Sequence, residues 1–243
     1  MKGCGNLDQS LRELGIYSSD KELGALEKYM DMIYEYNRKV NLTGTKDKEG
    51  IMVRHILDSL AILKYKNNIF KASGSFKKIL DVGTGAGLPG IPLSIIMDDR
   101  EFYLLDISSK KINFLKDVIK EINLENVIIL KGRAEQLAGQ KKYRESFDVV
   151  VSRGVTKYNI LIELTIPFCR INGRIVFYKS KKITAEVKRS GDSVKKLGGR
   201  ISGLFEVDVP YLNEYRSFLE IKKVSKSPLK YPRSFNRIKK NPL

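Results

Sequence analysis

The chain contains 243 residues, a length that suits one α/β domain with a small appendage. Apolar residues make up 42% of it, which is ordinary for a globular core, and no apolar run approaches the roughly 20 residues of a membrane span. Two cysteines and one histidine cannot form a disulfide framework or a standard zinc site, so no metal is expected. With no apolar signal segment at its start, the sequence predicts a cytoplasmic protein, which we expect to be a monomer that does not bind membranes.

Basic residues are concentrated in two stretches of the chain. The formal net charge is +17, and residues 179–200 and 225–243 each contribute +6 of it. A lysine-rich proteome would raise the lysine content everywhere, whereas residues 225–243 contain no acidic side chain. Because clustered cations attract polyanions, the charge pattern favours a nucleic acid as the partner.

Residues 1–72 are predicted to form an N-terminal helical extension. Apolar side chains at positions 23, 26, 30 and 33 follow a helical period, and Ser18, Ser19 or Asp20 can cap that helix. A second helix is predicted over residues 51–65, with apolar positions 56, 57, 60 and 63 on one face. Polar and small residues at 67–68 and 73–75 mark the boundary with the next domain.

From residue 76 the chain alternates between predicted strands and helices. Strands are predicted over residues 78–82, 102–105, 127–130, 147–152, 174–179, 201–209 and 216–224, and helices over 88–97, 108–121, 133–138, 158–169 and 184–197. The strands are continuous apolar runs, as expected where helices cover both faces of a sheet. We therefore predict an α/β domain over residues 73–224, with a mostly parallel seven-stranded sheet, and a basic C-terminal tail over residues 225–243.

A glycine-rich turn follows the first of these strands. Residues 81–90 read D-V-G-T-G-A-G-L-P-G, so glycines at 83, 85 and 87 allow the backbone to turn sharply and to approach a ligand closely. The spacing differs from the dinucleotide fingerprint, because position 88 is Leu, and no Lys-Ser/Thr pair follows as in a triphosphate-binding loop. The pattern resembles the first motif of methyltransferases that use S-adenosyl-L-methionine (SAM). The alternative is a strand–helix turn that binds nothing.

An acidic residue ends the second strand at the distance that a nucleotide-type cofactor requires. Asp106 lies 23 residues after Gly83, where a carboxylate accepts hydrogen bonds from both ribose hydroxyls. The alternative role, capping the next helix, suits Ser108 better. We therefore assign Asp106 to the cofactor ribose.

Two further strand ends supply candidate contacts. Ala134 and Glu135 follow the third strand, where they can meet an adenine ring or simply begin a helix, because an acidic side chain is favoured in a first turn. Arg153 follows the fourth strand and places a permanent cation beside the cofactor, suited to the SAM carboxylate or to an RNA phosphate. The N/D-P-P-Y/F motif of amino-group methylation is absent from this strand end.

The single histidine, His55, lies on the second predicted helix with Arg54, Asp58 and Ser59. Positions 54/58 and 55/59 are neighbours one helical turn apart. A hydrogen-bonded packing cluster that ties the helix to the sheet is favoured. The alternative places His55 or Arg54 at the RNA or at the target base.

Several motifs occur together in one order. They are Asn41-Leu42-Thr43, Arg54-His55-Ile56-Leu57-Asp58-Ser59, Asp81 to Leu93, Leu104-Leu105-Asp106, Lys110-Lys111, Phe114-Leu115 and Ser152-Arg153. Together they resemble the bacterial small-subunit ribosomal RNA methyltransferase family RsmG, also called glucose-inhibited division protein B. The resemblance covers about residues 30–180, and Gly154 stands where that family commonly has Ala.

This resemblance implies a Rossmann-like class I SAM-dependent methyltransferase fold and methyl transfer to N7 of a guanine in 16S rRNA. It implies Gly83, Leu88, Ala134, Glu135 and Arg153 as cofactor contacts; with Thr84, Gly85, Gly87 and Asp106 they complete the expected SAM site. The catalytic residues stay open, with Arg153 and His55 as candidates, since an unprotonated N7 needs no general base. The alternatives are methylation of another RNA or a small molecule, or SAM and RNA binding without turnover.

Overall fold

A seven-stranded β-sheet forms the centre of the structure, which is a computed structural model that describes residues 5–40, 42–65, 69–70, 76–181 and 183–243. The strands are β1 (Lys78–Val82), β2 (Glu101–Asp106), β3 (Val127–Lys131), β4 (Phe147–Arg153), β5 (Cys169–Lys179), β6 (Gly199–Glu206) and β7 (Ser217–Lys223). Their order across the sheet is β3-β2-β1-β4-β5-β7-β6. The first five strands run parallel, and β7 pairs antiparallel with β5 and β6. The predicted mostly parallel sheet is confirmed.

Helices precede the sheet and connect its strands. The N-terminal ones are α1 (Leu7–Glu13), α2 (Asp20–Asn37) and a continuous segment, α3, made of Lys48–Ile51 (α), Met52–Leu57 (π), Asp58–Leu60 (α) and Ala61–Tyr65 (3₁₀). The others are α4 (Gly90–Ile96), α5 (Ser109–Ile122), α6 (Ala134–Leu137), α7 (Tyr158–Thr165), α8 (Thr184–Arg189), α9 (Gly191–Lys196) and α10 (Phe235–Lys240). Within the described ranges, no helix is both long and apolar enough to cross a membrane.

Both faces of the sheet are covered, because neighbouring residues of one strand pack in different apolar clusters. Ile79 and Val149 pack with the N-terminal helices, α4 and α5, whereas Leu80 and Val150 pack with α7 and α9. Successive side chains of a strand point to opposite faces, so each strand contributes to both clusters. The carboxyl ends of β1, β2 and β4 therefore meet at one edge between two packed layers.

The helical extension packs directly on the glycine turn. Ser19 and Glu22 form a reciprocal capping box at the start of α2, which fixes where the helix begins. One helical face then carries the buried Tyr29, whose hydroxyl donates a 2.8 Å hydrogen bond to the carbonyl of Ala86. The predicted boundary with the sheet domain, at residues 67–68 and 73–75, lies outside the described residues.

Several predicted helices differ from the structure in where they begin, end or divide. The helix predicted over residues 158–169 ends at Thr165, passes into a 3₁₀ turn (Ile166–Phe168) and gives way to β5, since Pro167 cannot continue a helical hydrogen-bond pattern. The helix predicted over 184–197 is two helices, because the Ser190 hydroxyl bonds back to the carbonyl of Val187. The helix predicted from residue 88 begins at Gly90.

Residues 225–243, the C-terminal segment, pack against the domain before them. The Arg144 guanidinium donates to the carbonyls of Ser227, Pro228 and Tyr231 at 2.8–3.1 Å. Arg233 forms an ion pair with the fully buried Glu163 of α7. The segment predicted as a basic tail is therefore anchored, while five of its cations remain exposed: Lys226, Lys230, Arg237, Lys239 and Lys240.

Candidate SAM and acceptor site

The glycine turn after β1 has a backbone conformation that favours glycine at three positions. Gly83, Gly85 and Gly87 have φ values of +72°, +63° and +100°. The backbone N–H groups of Gly83 and Thr84 donate to the carbonyl of Leu105 at 2.8 and 3.0 Å, which fixes the turn against β2. A Cβ at Gly87 would lie 2.5 Å from Ile91 Cγ1, so this part of the turn also lacks room for a side chain.

Asp81, in β1, holds the turn through hydrogen bonds to its side chain. Its Oδ2 accepts hydrogen bonds from Thr84 Oγ1 at 2.7 Å and from the N–H of Gly90 at 2.9 Å, whereas its buried Oδ1 has no partner among the described residues. Burial raises the pKa of Asp81 to about 6, and these two hydrogen bonds oppose the shift. The side chain and the backbone N–H of Thr84 are thus both used within the turn, to Asp81 and to Leu105.

Asp106 lies at the end of β2, opposite the turn. Its Oδ2 accepts from the N–H of Gly85 at 2.9 Å and its Oδ1 accepts from the N–H of Ser108 at 2.8 Å. The Ser108 side chain makes no capping bond to α5, so the carboxylate rather than the hydroxyl serves this helix start. Each carboxylate oxygen can accept one more hydrogen bond, so Asp106 can accept one from each of the two hydroxyls of a ribose.

The residues predicted for the adenine lie beside Asp106. In the parallel pairing of β2 and β3, Asp106 is opposite Lys131, and Ala134 and Glu135 begin α6 three residues further on. The Glu135 side chain is 11% exposed, and its carboxylate lies 3.9 Å from Arg133 Nη1. The structure therefore brings the glycine turn, Asp106 and the start of α6 to one edge of the sheet, which fits an adenosine-type cofactor.

A cavity of about 560 Å³ opens at the carboxyl ends of β4 and β5. Its lining includes Thr45 and three residues of α3, residues 153–158 at and after the end of β4, and residues 178–181 at and after the end of β5. Val155 lines this cavity and also contacts the turn, because a Cβ on Gly83 would lie 2.4 Å from Val155 Cγ2. We call this cavity the acceptor pocket; its volume falls in the range of about 300–1,000 Å³ that is usual for small-ligand sites.

The loop before α3 is held by Asn37. Its Oδ1 accepts from the N–H groups of Leu42 and Thr43, both at 3.0 Å, and its Nδ2 donates to the carbonyl of Thr45 at 2.8 Å. This network positions Thr45 at the pocket. Asn41, the first residue of that sequence motif, lies outside the described residues.

Asp58 joins two arginines at the pocket. Arg153 Nη1 donates to Asp58 Oδ2 at 2.8 Å, and Arg216 Nε donates to Asp58 Oδ1 at 3.0 Å. Exposure of the three side chains is only 14%, 11% and 7% for Arg153, Arg216 and Asp58. Arg153 therefore lies at the end of β4, where it lines the pocket, and it has a carboxylate partner that the sequence did not suggest.

The interactions of the Arg54–Ser59 motif differ from the expected pairs. Arg54 forms an ion pair with Glu214 rather than with Asp58, since the π-helix over Met52–Leu57 changes the side-chain spacing. His55 lines the pocket, and neither ring nitrogen has a hydrogen-bond partner in the described part of the chain. The cluster does tie α3 to the sheet, through the hydrogen bond between Asp58 and Arg153 of β4, but His55 makes no hydrogen bond in it among the described residues. Burial, followed by the charge of Arg153, lowers the pKa of His55 to about 4, so its ring is neutral at pH 7.

Comparison with known proteins decides the family. The model of a family described as "rRNA small subunit methyltransferase G" (GidB) matches residues 22–208. The chain is also 37% identical to the ribosomal RNA small subunit methyltransferase G of Clostridium tetani, over 100% of both chains. The protein of that name from Thermoanaerobacter sp. is 37% identical over 100% of this chain and 99% of its own. The chain belongs to the rRNA small subunit methyltransferase G family.

Solved structures support the fold of this methyltransferase G family member. It is similar to a structure of M. jannaschii TYW2 in complex with AdoMet, with a TM-score of 0.50 and 17% identity over 67% of this chain and 76% of that one. It is also similar to a 16S rRNA (adenine(1408)-N(1))-methyltransferase from Catenulisporales acidiphilia, with a TM-score of 0.52 and 12% identity over 63% and 87% of the two chains. At these identities the likeness concerns the fold, which is the Rossmann-like fold expected from the sequence.

Residues outside the predicted set also belong to this site. Arg216 and Glu214 lie beyond the matched range 22–208, yet Arg216 contacts Asp58 and lines the pocket. The sequence offered one signal, an arginine at the first position of the strand predicted over residues 216–224. The structure brings it to the carboxyl end of β5, one strand away from Arg153, because β7 inserts between β5 and β6, an arrangement that the order of elements along the chain does not reveal.

Proposed function

We propose that this chain transfers a methyl group from SAM to N7 of a guanine in 16S rRNA. Its relatives named for rRNA methylation match it over their whole length. The observation that carries the proposal is the contact between Val155 and the glycine turn, which puts the acceptor pocket directly beside the cofactor side of the sheet. A methyl group can pass between two molecules only when their sites adjoin in this way.

The residues on the cofactor side have separate roles in the proposed enzyme. When bound, SAM supplies an electrophilic methyl group. Asp106 accepts hydrogen bonds from the ribose hydroxyls, and the glycine turn brings backbone close to the bound molecule. Ala134 and Glu135 contact the adenine, and Leu88, which is largely buried at the end of the turn, is a further cofactor contact. Arg153 attracts the carboxylate of the methionine half or an RNA phosphate.

The acceptor chemistry requires orientation more than acid–base catalysis. Guanine N7 carries a lone pair and no proton at neutral pH, so no residue has to remove one. The pocket contributes proximity and alignment, which can account for about 7–11 kcal/mol of a barrier. We further propose that the enzyme acts as a monomer in the cytoplasm and without a metal ion, since the transfer needs no Lewis acid.

A labelling experiment tests this function. The protein is incubated with methyl-labelled SAM and small ribosomal subunits from cells that lack the modification, in parallel with free 16S rRNA and with large subunits. The expected result is label in 7-methylguanine of the small-subunit RNA only, located by aniline cleavage, which breaks RNA at reduced 7-methylguanines. SAM binding without label in any guanine would contradict the enzyme, and label in another position would contradict the N7 assignment.

A further inference from the structure

The acceptor pocket holds arginines close to where a guanine must bind with its N7 free. Arg54, Arg153 and Arg216 all line it, and lysines 157, 179 and 181 surround them. These cations attract RNA, yet an arginine fork that grips O6 and N7 together is the commonest specific contact to guanine. Such a contact would use the N7 lone pair as a hydrogen-bond acceptor, and a lone pair used in this way cannot attack a methyl group.

The structure gives each of these guanidinium groups a carboxylate or carbonyl partner. Asp58 binds Arg153 at 2.8 Å through one oxygen and Arg216 at 3.0 Å through the other. Glu214 accepts from Arg216 Nη2 at 3.1 Å and also pairs with Arg54. Two carboxylates thus restrain three arginines and leave a net charge of +1 in the cluster.

Backbone carbonyls complete the restraint. Arg153 Nη1 also donates to the carbonyl of Arg54 at 3.1 Å, and Arg216 Nη1 donates to the carbonyl of Tyr215 at 3.0 Å. A buried ion pair is weak evidence for stability, because removing charges from water costs about as much as their attraction returns. Stability therefore does not explain why the direction of two guanidinium groups is fixed. A functional reason does, because these groups must not contact the N7 and O6 edge of the guanine.

We propose that Asp58 is a positioning residue that holds the Arg153 and Arg216 guanidinium groups off the N7 and O6 edge of the acceptor guanine, so that the N7 lone pair stays free for methyl transfer. This inference rests on the proposed function. The residue acts through the arginines and does not touch the reacting atoms. It explains why α3, the end of β4 and the residue before β7 converge on one carboxylate beside the pocket.

The test separates turnover from RNA affinity. Asp58→Asn keeps the shape of the side chain but removes its charge and one of its two acceptor oxygens, which loosens the hold on both arginines. We expect kcat on small subunits to fall about tenfold or more. The affinity for the RNA should stay equal or become tighter, and the SAM Kd should change by less than about threefold. Asp117→Asn, an exposed carboxylate on α5, is the matched control and should behave like the wild-type protein.

A second substitution tests the mechanism. Adding Arg216→Gln to Asp58→Asn removes one released fork and should recover part of kcat, which a merely structural role for Asp58 would not allow. If Asp58→Asn does not fold, Asp58→Glu provides the test, because a retained carboxylate should keep most of the turnover and the RNA affinity.

Three results would overturn the inference while wild-type methylation remains intact. These are normal turnover of Asp58→Asn, a fall in kcat together with weaker RNA binding that Arg216→Gln does not relieve, or a folded Asp58→Glu that has lost turnover. A wild-type protein that forms no 7-methylguanine would instead contradict the proposed function itself.

Discussion

Replacing Arg233 by Met is expected to destabilise the protein strongly, although the residue lies in the C-terminal segment. Its partner, Glu163, is fully buried on α7 and accepts from the backbone N–H of Arg233 at 2.8 Å, from Nε at 2.9 Å and from Nη2 at 2.6 Å. Methionine preserves the apolar stem and the backbone bond but removes the counter-ion of the carboxylate. Removing one partner of a buried pair costs about 3–5 kcal/mol.

The lower end of this range applies, since the Arg233 side chain is 24% exposed, and in its absence water can partly solvate the Glu163 carboxylate. A loss of about 3 kcal/mol is a large part of the roughly 5–15 kcal/mol that typically holds a domain folded. For a chain of this size it corresponds to a fall in Tm of about 6–12 °C. Urea unfolding followed by circular dichroism measures the free energy of unfolding directly.

Two further variants make the experiment decisive. Arg237→Met, in the same segment but exposed, should change stability by less than about 0.5 kcal/mol. Combining Arg233→Met with Glu163→Leu should recover most of the loss, because two apolar side chains can replace a buried ion pair without penalty. A loss below about 1 kcal/mol for Arg233→Met would refute the reasoning, because exposed pairs contribute no more than this.

Three other outcomes follow from the site and its surroundings. Asp106→Ala should raise the KM for SAM about tenfold, because the loss of a hydrogen bond to a charged group weakens binding by about this much. Asp117→Ala is the control, and a normal KM for Asp106→Ala would remove the ribose assignment. Asp81 binds a proton more tightly folded than unfolded, so its contribution to stability falls as the pH rises from about 4 to 6. His55 has a lowered pKa, so its contribution to stability rises as the pH rises from about 4 to 6.5. When the free energy of unfolding is measured against pH, its rise over this range should therefore become steeper in Asp81→Asn and shallower in His55→Leu. Curves parallel to that of the wild type would contradict both shifts. Replacing Lys226, Lys230 and Lys239 by Gln should reduce the salt dependence of RNA binding by about 0.7 for each phosphate that these lysines neutralise, and an unchanged slope would place the RNA elsewhere on the surface.

The sheet and the cofactor side were predictable from local sequence. The apolar runs of β1 to β4 lie within one residue of their predicted bounds, because strands buried on both faces need continuous apolar side chains. Gly83, Gly85 and Gly87 were recognisable since their backbone conformation restricts the choice of residue. The topology then brings Asp106 to the turn, as the distance along the chain suggested.

The acceptor pocket was less predictable, because it depends on contacts between distant parts of the chain. Asp58 and Arg216 are 158 residues apart, and only the insertion of β7 between β5 and β6 brings them together. The anchoring of the C-terminal segment was missed for the same reason. Its charge pattern resembled a free basic tail, whereas Arg233 pairs with an acid 70 residues earlier.

The π-helix over Met52–Leu57 makes the length of α3 as important as its composition. A π-turn contains one residue more than an α-turn, and each residue of an α-helix advances the direction of the side chains by about 100°. Deleting one residue here would restore a regular helix, yet it would shift Arg54 and His55 relative to Asp58 and remove the spacing that directs Arg54 to Glu214 and His55 to the pocket. A single-residue deletion in this segment should thus be more damaging than most substitutions, and insertions or deletions here should be selected against more strongly than changes of residue type.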